Sequence, residues 1–157
     1  HHCNFERAKR TRNGIETVGI IGTEDAFEYL PKDLEGELLN RGIKLLKYSK
    51  FFSREDIVNF YRSIDIQIVW RPYKMRLSNP LKIVNAASFG IPTIAYGESV
   101  FEELEDCYIP VGNLVEFLAC LDDFRSESWL YDSYSKRCLK VAEEYHIENV
   151  AKEYKKL

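Results

Sequence analysis

Runs of apolar residues short enough to be strands alternate along this chain with segments whose apolar positions recur at helical spacing. "TVGIIG", from Thr17, is a β-branched burst ending at a glycine, which predicts a buried strand rather than one with a wet face. "KDLEGELLNRGI" then places Leu34, Leu38 and Leu39 at helical spacing with Gly42 as its stop, and "IKLLKYS" reads as a second strand. In "SREDIVNFYRSI", Ser53 is an N-cap, acidic residues occupy the first turn, and Ile57, Phe60, Tyr61 and Ile64 share a face. "DIQIVW" predicts a third strand, residues 79–89 a third helix, "IPTIAY" a fourth strand, "SVFEELE" a short helix and "CYIPV" a fifth strand. "NLVEFLACLDDF" and the stretch from Ser126 to Leu157 are helical, with no further strand pattern.

Such alternation requires a parallel sheet covered on both faces by right-handed crossovers. The expected fold is α/β: a Rossmann-like doubly wound parallel sheet of about five or six strands with C-terminal helices. Residues 1–16 read as an N-terminal arm or interdomain linker remnant, and residues 17–157 as the domain. Ligands of these sheets bind at the carboxyl ends of the strands, so the loops after Gly22, Tyr48, Trp70 and Tyr96 are the ones to inspect.

Composition narrows the partners. A net charge of −3 and a pI near 5.7 offer no broad cationic field, which argues against nucleic acid. The one basic cluster, Lys9, Arg10 and Arg12, precedes the first strand and reads as a solvated arm. No apolar run approaches the roughly 20 residues of a bilayer crossing, and the polar opening is no secretory signal. Cys3, Cys107, Cys120 and Cys138 show no metal-binding spacing, which predicts no metal and a reducing, cytoplasmic setting. The start at His1 without methionine predicts a fragment or processed form.

"RLSNPLKIVNAASFGIPTIAY", residues 76–96, holds the candidate chemistry. Pro80 suits the first helical position, Ser78 or Asn79 can cap the free amides, and Ala86, Ala87 and Ser88 permit close approach to the sheet. Gly90 tolerates the positive φ of a helix stop, and Pro92 favours an extended lead into the next strand. A helix N-terminus at the carboxyl edge, with Arg71, Lys74, Arg76 and Lys82 around it, has the makings of a phosphate site; the ordinary alternative is a solvated cationic rim.

"NPLKIVNAASFGIPTIAY" resembles the donor-binding segment of GT-B glycosyltransferases, in which a helix of the type Lys-Leu-x-Glu-Ala-x-Ala-x-Gly precedes Pro-Val-Ile-Ala. Lys82, Ala86, Ser88, Gly90, Pro92, Ile94 and Ala95 fall on that pattern, and the similarity extends over most of the chain from Thr17 onward. The resemblance implies a nucleotide-sugar laid across the carboxyl edge. Arg71, Lys74, Ser78, Asn79 and Lys82 would meet its diphosphate, Asn85 and Glu103 its ribose or sugar, and Phe51 or Phe52 its base. It further implies hexosyl transfer to a glycan or other acceptor, as in polysaccharide biosynthesis, with no metal or other cofactor and no catalytic residue assigned in this half. The acceptor would be held by an N-terminal domain not present, leaving this chain inactive alone, cytoplasmic or at most peripheral to the inner face of a membrane.

The chain departs from the family at two places. Leu77 and Asn85 stand where retaining members carry paired glutamates, and "GTED" after the first strand lacks the arginine many members direct at the diphosphate. An amide can hydrogen-bond a ribose hydroxyl but cannot act as a carboxylate. Glu103 has an ordinary alternative as a helix-start acid, and His146 reads as a surface or packing histidine. Gly19-Ile20-Ile21-Gly22 lacks the dinucleotide fingerprint, and no hydrolytic triad can be assembled. The rival to the transferase reading is a free-standing α/β module that binds a partner protein or a small anion. An exposed apolar strip on the terminal helix is expected if the domain has lost a neighbour.

Overall fold

A computed structural model describes residues 5, 7, 14–50, 52–71, 80–96, 99–104 and 107–156. Five strands, β1 (Thr17–Ile21), β2 (Lys44–Tyr48), β3 (Ile66–Val69), β4 (Thr93–Tyr96) and β5 (Tyr108–Val111), form one parallel sheet in the order β2-β1-β3-β4-β5. The doubly wound α/β fold is therefore as the patterning predicts, with β2 and β5 as its two edges.

The central strands are apolar on both sides because both sides are covered. Ile66 and Ile68 of β3 join the core beneath α1 (Leu34–Asn40) and α4 (Leu114–Ser126), with Leu34, Leu38, Phe117 and Leu121. Val69 points the other way, to α2 (Arg54–Ser63) and α3 (Leu81–Ser88), where Phe60, Tyr61, Ile83, Val84, Ala86 and Ala87 are buried. Each such side chain contributes about 1.5–3 kcal/mol if fully withdrawn from water, less for alanine. The C-terminal α5 (Ser128–Glu144) lies over α3, with Cys138 and Ala142 in that core.

Local chemistry explains the element boundaries. Ser53 caps α2 reciprocally: its hydroxyl accepts from Asp56 N at 3.2 Å while the Asp56 carboxylate accepts from Ser53 N at 2.8 Å. Those hydrogen bonds hold the Asp56 carboxyl below its ordinary pKa. Asn113 caps α4 by accepting from Glu116 N. Gly42 and Gly90 end α1 and α3 with positive φ, 69° and 66°.

Four expectations shift. Leu39 is 74% exposed, because α1 has seven residues and only Leu34 and Leu38, one turn apart, face the sheet. The third helix starts at Leu81, so Pro80 is its N-cap, with a carbonyl accepting from Ile83 N and Val84 N; Ser78 and Asn79 lie outside the described residues. "SVFEELE" forms a 3-10 turn over Ser99–Leu104, and another covers Glu24–Phe27. The final helical stretch breaks at His146 into α5 and α6 (Ile147–Tyr154). His146 is buried, as a packing histidine should be. Its Nδ1 accepts from Glu148 N at 3.4 Å, so Nε2 carries the proton and donates to the Phe5 carbonyl at 3.2 Å.

Gly90 offers a direct check of this packing. A Cβ there would lie 2.8 Å from Ser135 Oγ on α5, in a backbone conformation that side chains resist. Gly90→Ala is expected to destabilise by about 2 kcal/mol in urea unfolding. Gly36→Ala, in α1 with nothing within 4 Å, is expected to stabilise by up to about 1 kcal/mol.

Candidate functional site

The strand order reverses between β1 and β3, since the chain runs from β1 outward to β2 and then returns to β3 on the other side. The crevice at the carboxyl ends of these two strands is where doubly wound sheets hold ligands. β1 is prolonged there by Gly22, whose N–H donates to Tyr48 O at 3.1 Å.

The first turn of α3 is fixed over the same crevice. Gln67, the one polar side chain in "IQIV", is fully buried, and its Nε2 donates to Lys82 O and to Thr93 Oγ1, both at 3.0 Å. Gln67 Oε1 has no partner among the described residues. Tyr61 OH, its pKa pushed above the ordinary tyrosine range by complete burial, approaches the same carbonyl at 3.5 Å. The polar position in strand β3 therefore anchors the helix that carries the site.

From this turn the Lys82 side chain reaches back over the tip of β1. Its Nζ lies 3.1 Å from where a Cβ on Gly22 would be, and Ala26 Cβ lies 3.2 Å from that point. A side chain at Gly22 would make the ammonium and Ala26 give by a few tenths of an ångström, so glycine leaves the lysine its fullest seat. Burial, with help from the Arg71 guanidinium, lowers the Lys82 pKa from 10.5 to about 8. No carboxylate among the described residues forms an ion pair with Lys82. Two adjacent cations without a carboxylate ion pair among the described residues form a point of positive potential suited to an anion.

The other sequence-predicted residues distribute as follows. Arg71 is half-buried directly after β3 and is brought beside Lys82. Asn85 is half-buried one helical turn on from Lys82. Glu103 is exposed, and its charge acts on Tyr145 at the end of α5, helping burial to raise that phenol's pKa. Phe52 is 89% exposed beside the Ser53 cap, with its ring in solvent. Lys74, Arg76, Leu77, Ser78, Asn79 and Phe51 lie outside the described residues, as do Lys9, Arg10 and Arg12. Gly22, Tyr61 and Gln67 were not singled out as site residues; the glutamine in an otherwise apolar strand was the available clue. Among the described residues no group of histidine, cysteine, aspartate or glutamate is arranged to hold a metal, and no helix is long and apolar enough to cross a membrane.

No protein-family model matches this sequence, and no curated protein matches it. Among solved structures, the fold is similar to that of a chain in the crystal structure of accessory secretory protein 1, 2 and 3 from Streptococcus pneumoniae. The TM-score is 0.53 at 10% sequence identity, over 90% of this chain and 33% of that one. At that identity the likeness is one of fold, and this chain spans a third of its neighbour's length.

Proposed function

We propose that this chain is the nucleotide-sugar-binding half of a GT-B type glycosyltransferase, with the donor diphosphate at Lys82 and Arg71 and the ribose near Asn85. The observation that carries the reading is the Lys82 ammonium, half-buried over Gly22 at the crevice between β1 and β3 and without a carboxylate partner among the described residues. A diphosphate supplies the missing negative charge, and the amides opening α3 add the positive end of a helix dipole. Charge on a leaving diphosphate is neutralised by these cations and amides, so the chemistry proposed here calls for no metal. The acceptor and its general base belong to a second domain in this reading.

The face of α6 fits this reading, in which the domain has lost a neighbour. None of the residues of α6 is buried, Ile147 is 41% and Tyr154 73% exposed, and Val150 completes a strip at helical spacing. A second reading, a partner-binding module, is favoured by the structural neighbour, which comes from a structure of three proteins together. The readings separate by isothermal titration with UDP, GDP and their sugar conjugates, repeated on Lys82→Ala and Asn85→Ala. Saturable binding of one nucleotide, weakened by both substitutions, is expected from the donor-binding reading. Absence of binding by every nucleotide at millimolar concentration gives the lead to the partner-binding module.

A further inference from the structure

The seat of Lys82 disfavours the charge its own side chain carries. Its nitrogen lies over Gly22, with the Ala26 methyl bordering the same place, so part of its hydration is replaced by carbon. Arg71, directly after β3, sets a second positive charge beside it. Glu24, in the turn that holds Ala26, accepts from Ser49 Oγ at 3.5 Å and forms no ion pair with Lys82. An ammonium next to a guanidinium, half-shielded from water and without a carboxylate, gives up its proton more readily than an exposed lysine. Its pKa of about 8 follows from that seat, and at pH 7 about a tenth of the amine is free, against roughly one part in three thousand for a lysine at 10.5.

The surroundings that free the amine also attract an anion. A small electrophile that carries its own phosphate is drawn to Arg71 and thereby brings its reactive carbon beside the nitrogen, which turns a chance encounter into a held one. Exposed lysines elsewhere on the chain lack both halves of this arrangement, since water keeps them protonated. Desolvation beside another cation is a recognised way to make a lysine nucleophilic.

We infer that Lys82 is an acylation site, modified by acyl phosphates that Arg71 holds through their phosphate, and that the modification closes the anion seat. The amine nitrogen forms a bond to the acyl carbon, the bond from that carbon to the phosphate oxygen breaks, and phosphate leaves with the proton the amine gives up. The product amide is uncharged, so a diphosphate loses one of its two cations. The inference rests on the proposed function in taking Lys82 and Arg71 as the seat of a phosphate, and not on which nucleotide binds.

The test treats the whole chain with acetyl phosphate at about pH 8 and follows each lysine by peptide mass mapping. Lys82 is expected to be acetylated about tenfold or more faster than the exposed Lys44 and Lys155, and inorganic pyrophosphate should slow the reaction at Lys82 selectively. The preference for Lys82 should be greater with acetyl phosphate than with an uncharged acetylating ester, and Arg71→Gln should remove that difference. An equal preference with both reagents overturns the phosphate-held step. Titration with UDP, run in parallel, separates this inference from the nucleotide reading. Fast, pyrophosphate-protected acetylation without UDP binding keeps the acylation site and discards the nucleotide. UDP binding with Lys82 acetylated no faster than Lys44 overturns the acylation site and leaves the nucleotide reading in place.

Discussion

Lys82→Met is expected to make the ligand-free protein more stable while abolishing its affinity for phosphate-bearing ligands. With a folded pKa of about 8 against 10.5 for an ordinary lysine, the unfolded chain binds more protons than the folded one between those values. Stability therefore rises with pH across that window, and below about pH 8, where both states are protonated, the whole penalty is present. Removing the charge but keeping an apolar stem should restore about 2 kcal/mol at pH 7, after allowance for the side chain's partial exposure. Urea unfolding of both proteins from pH 7 to 10.5 measures it: the gap should be widest at pH 7 and close on the alkaline side. A variant less stable than the wild type at pH 7 removes the case for a penalised ammonium. Affinity of the wild type for UDP should fall about tenfold per pH unit above pH 8, because the anion needs the protonated lysine.

Asp65→Ala is expected to be the more damaging substitution, destabilising by about 3–4 kcal/mol. Asp65 is fully buried at the amino end of β3, where its carboxylate accepts from Glu16 N at 2.9 Å and Thr17 N at 2.8 Å. Its backbone carbonyl accepts from Tyr131 OH of α5 at 2.8 Å, and its N–H donates to Thr17 O. Alanine leaves two part-buried amides at the entry to β1 without that acceptor. Since the damage falls at the opposite end of the strands from Lys82, UDP affinity in the remaining folded fraction should be unchanged, and loss of affinity in parallel with stability would contradict that separation.

What was legible in the sequence follows from how each feature is encoded. The β-α alternation is written in local periodicity, and the doubly wound sheet follows from it with few alternatives. The segment over residues 80–92 was legible because Pro80, the small residues of α3 and Gly90 each answer a local steric demand. Lys82 could be named as a cation near the edge. Its seat over Gly22 could not, because that contact joins residues 60 apart through a tertiary fold. The break before α6 went unread because no proline or glycine marks it; the chain turns at a histidine that serves as the cap. Phe5 and Arg7 went unread because two anchors make no period, and their partners, from Arg54 to Glu148, are all distant in sequence.

The two edges of the sheet bear on how any partner can reach this protein. Along β2, Lys44 and Lys47 are exposed, and Lys47 pairs with Glu35 of α1 at 2.9 Å; on β5, Pro110 stands opposite Ala95 with no N–H to give. Charged side chains on one margin and an imino acid on the other discourage the addition of a sixth strand from another molecule. Recognition by β-augmentation, and the fibrous assembly that unguarded margins invite, are both disfavoured, so contacts with other molecules are channelled to the helical faces and to the loops above the strand ends.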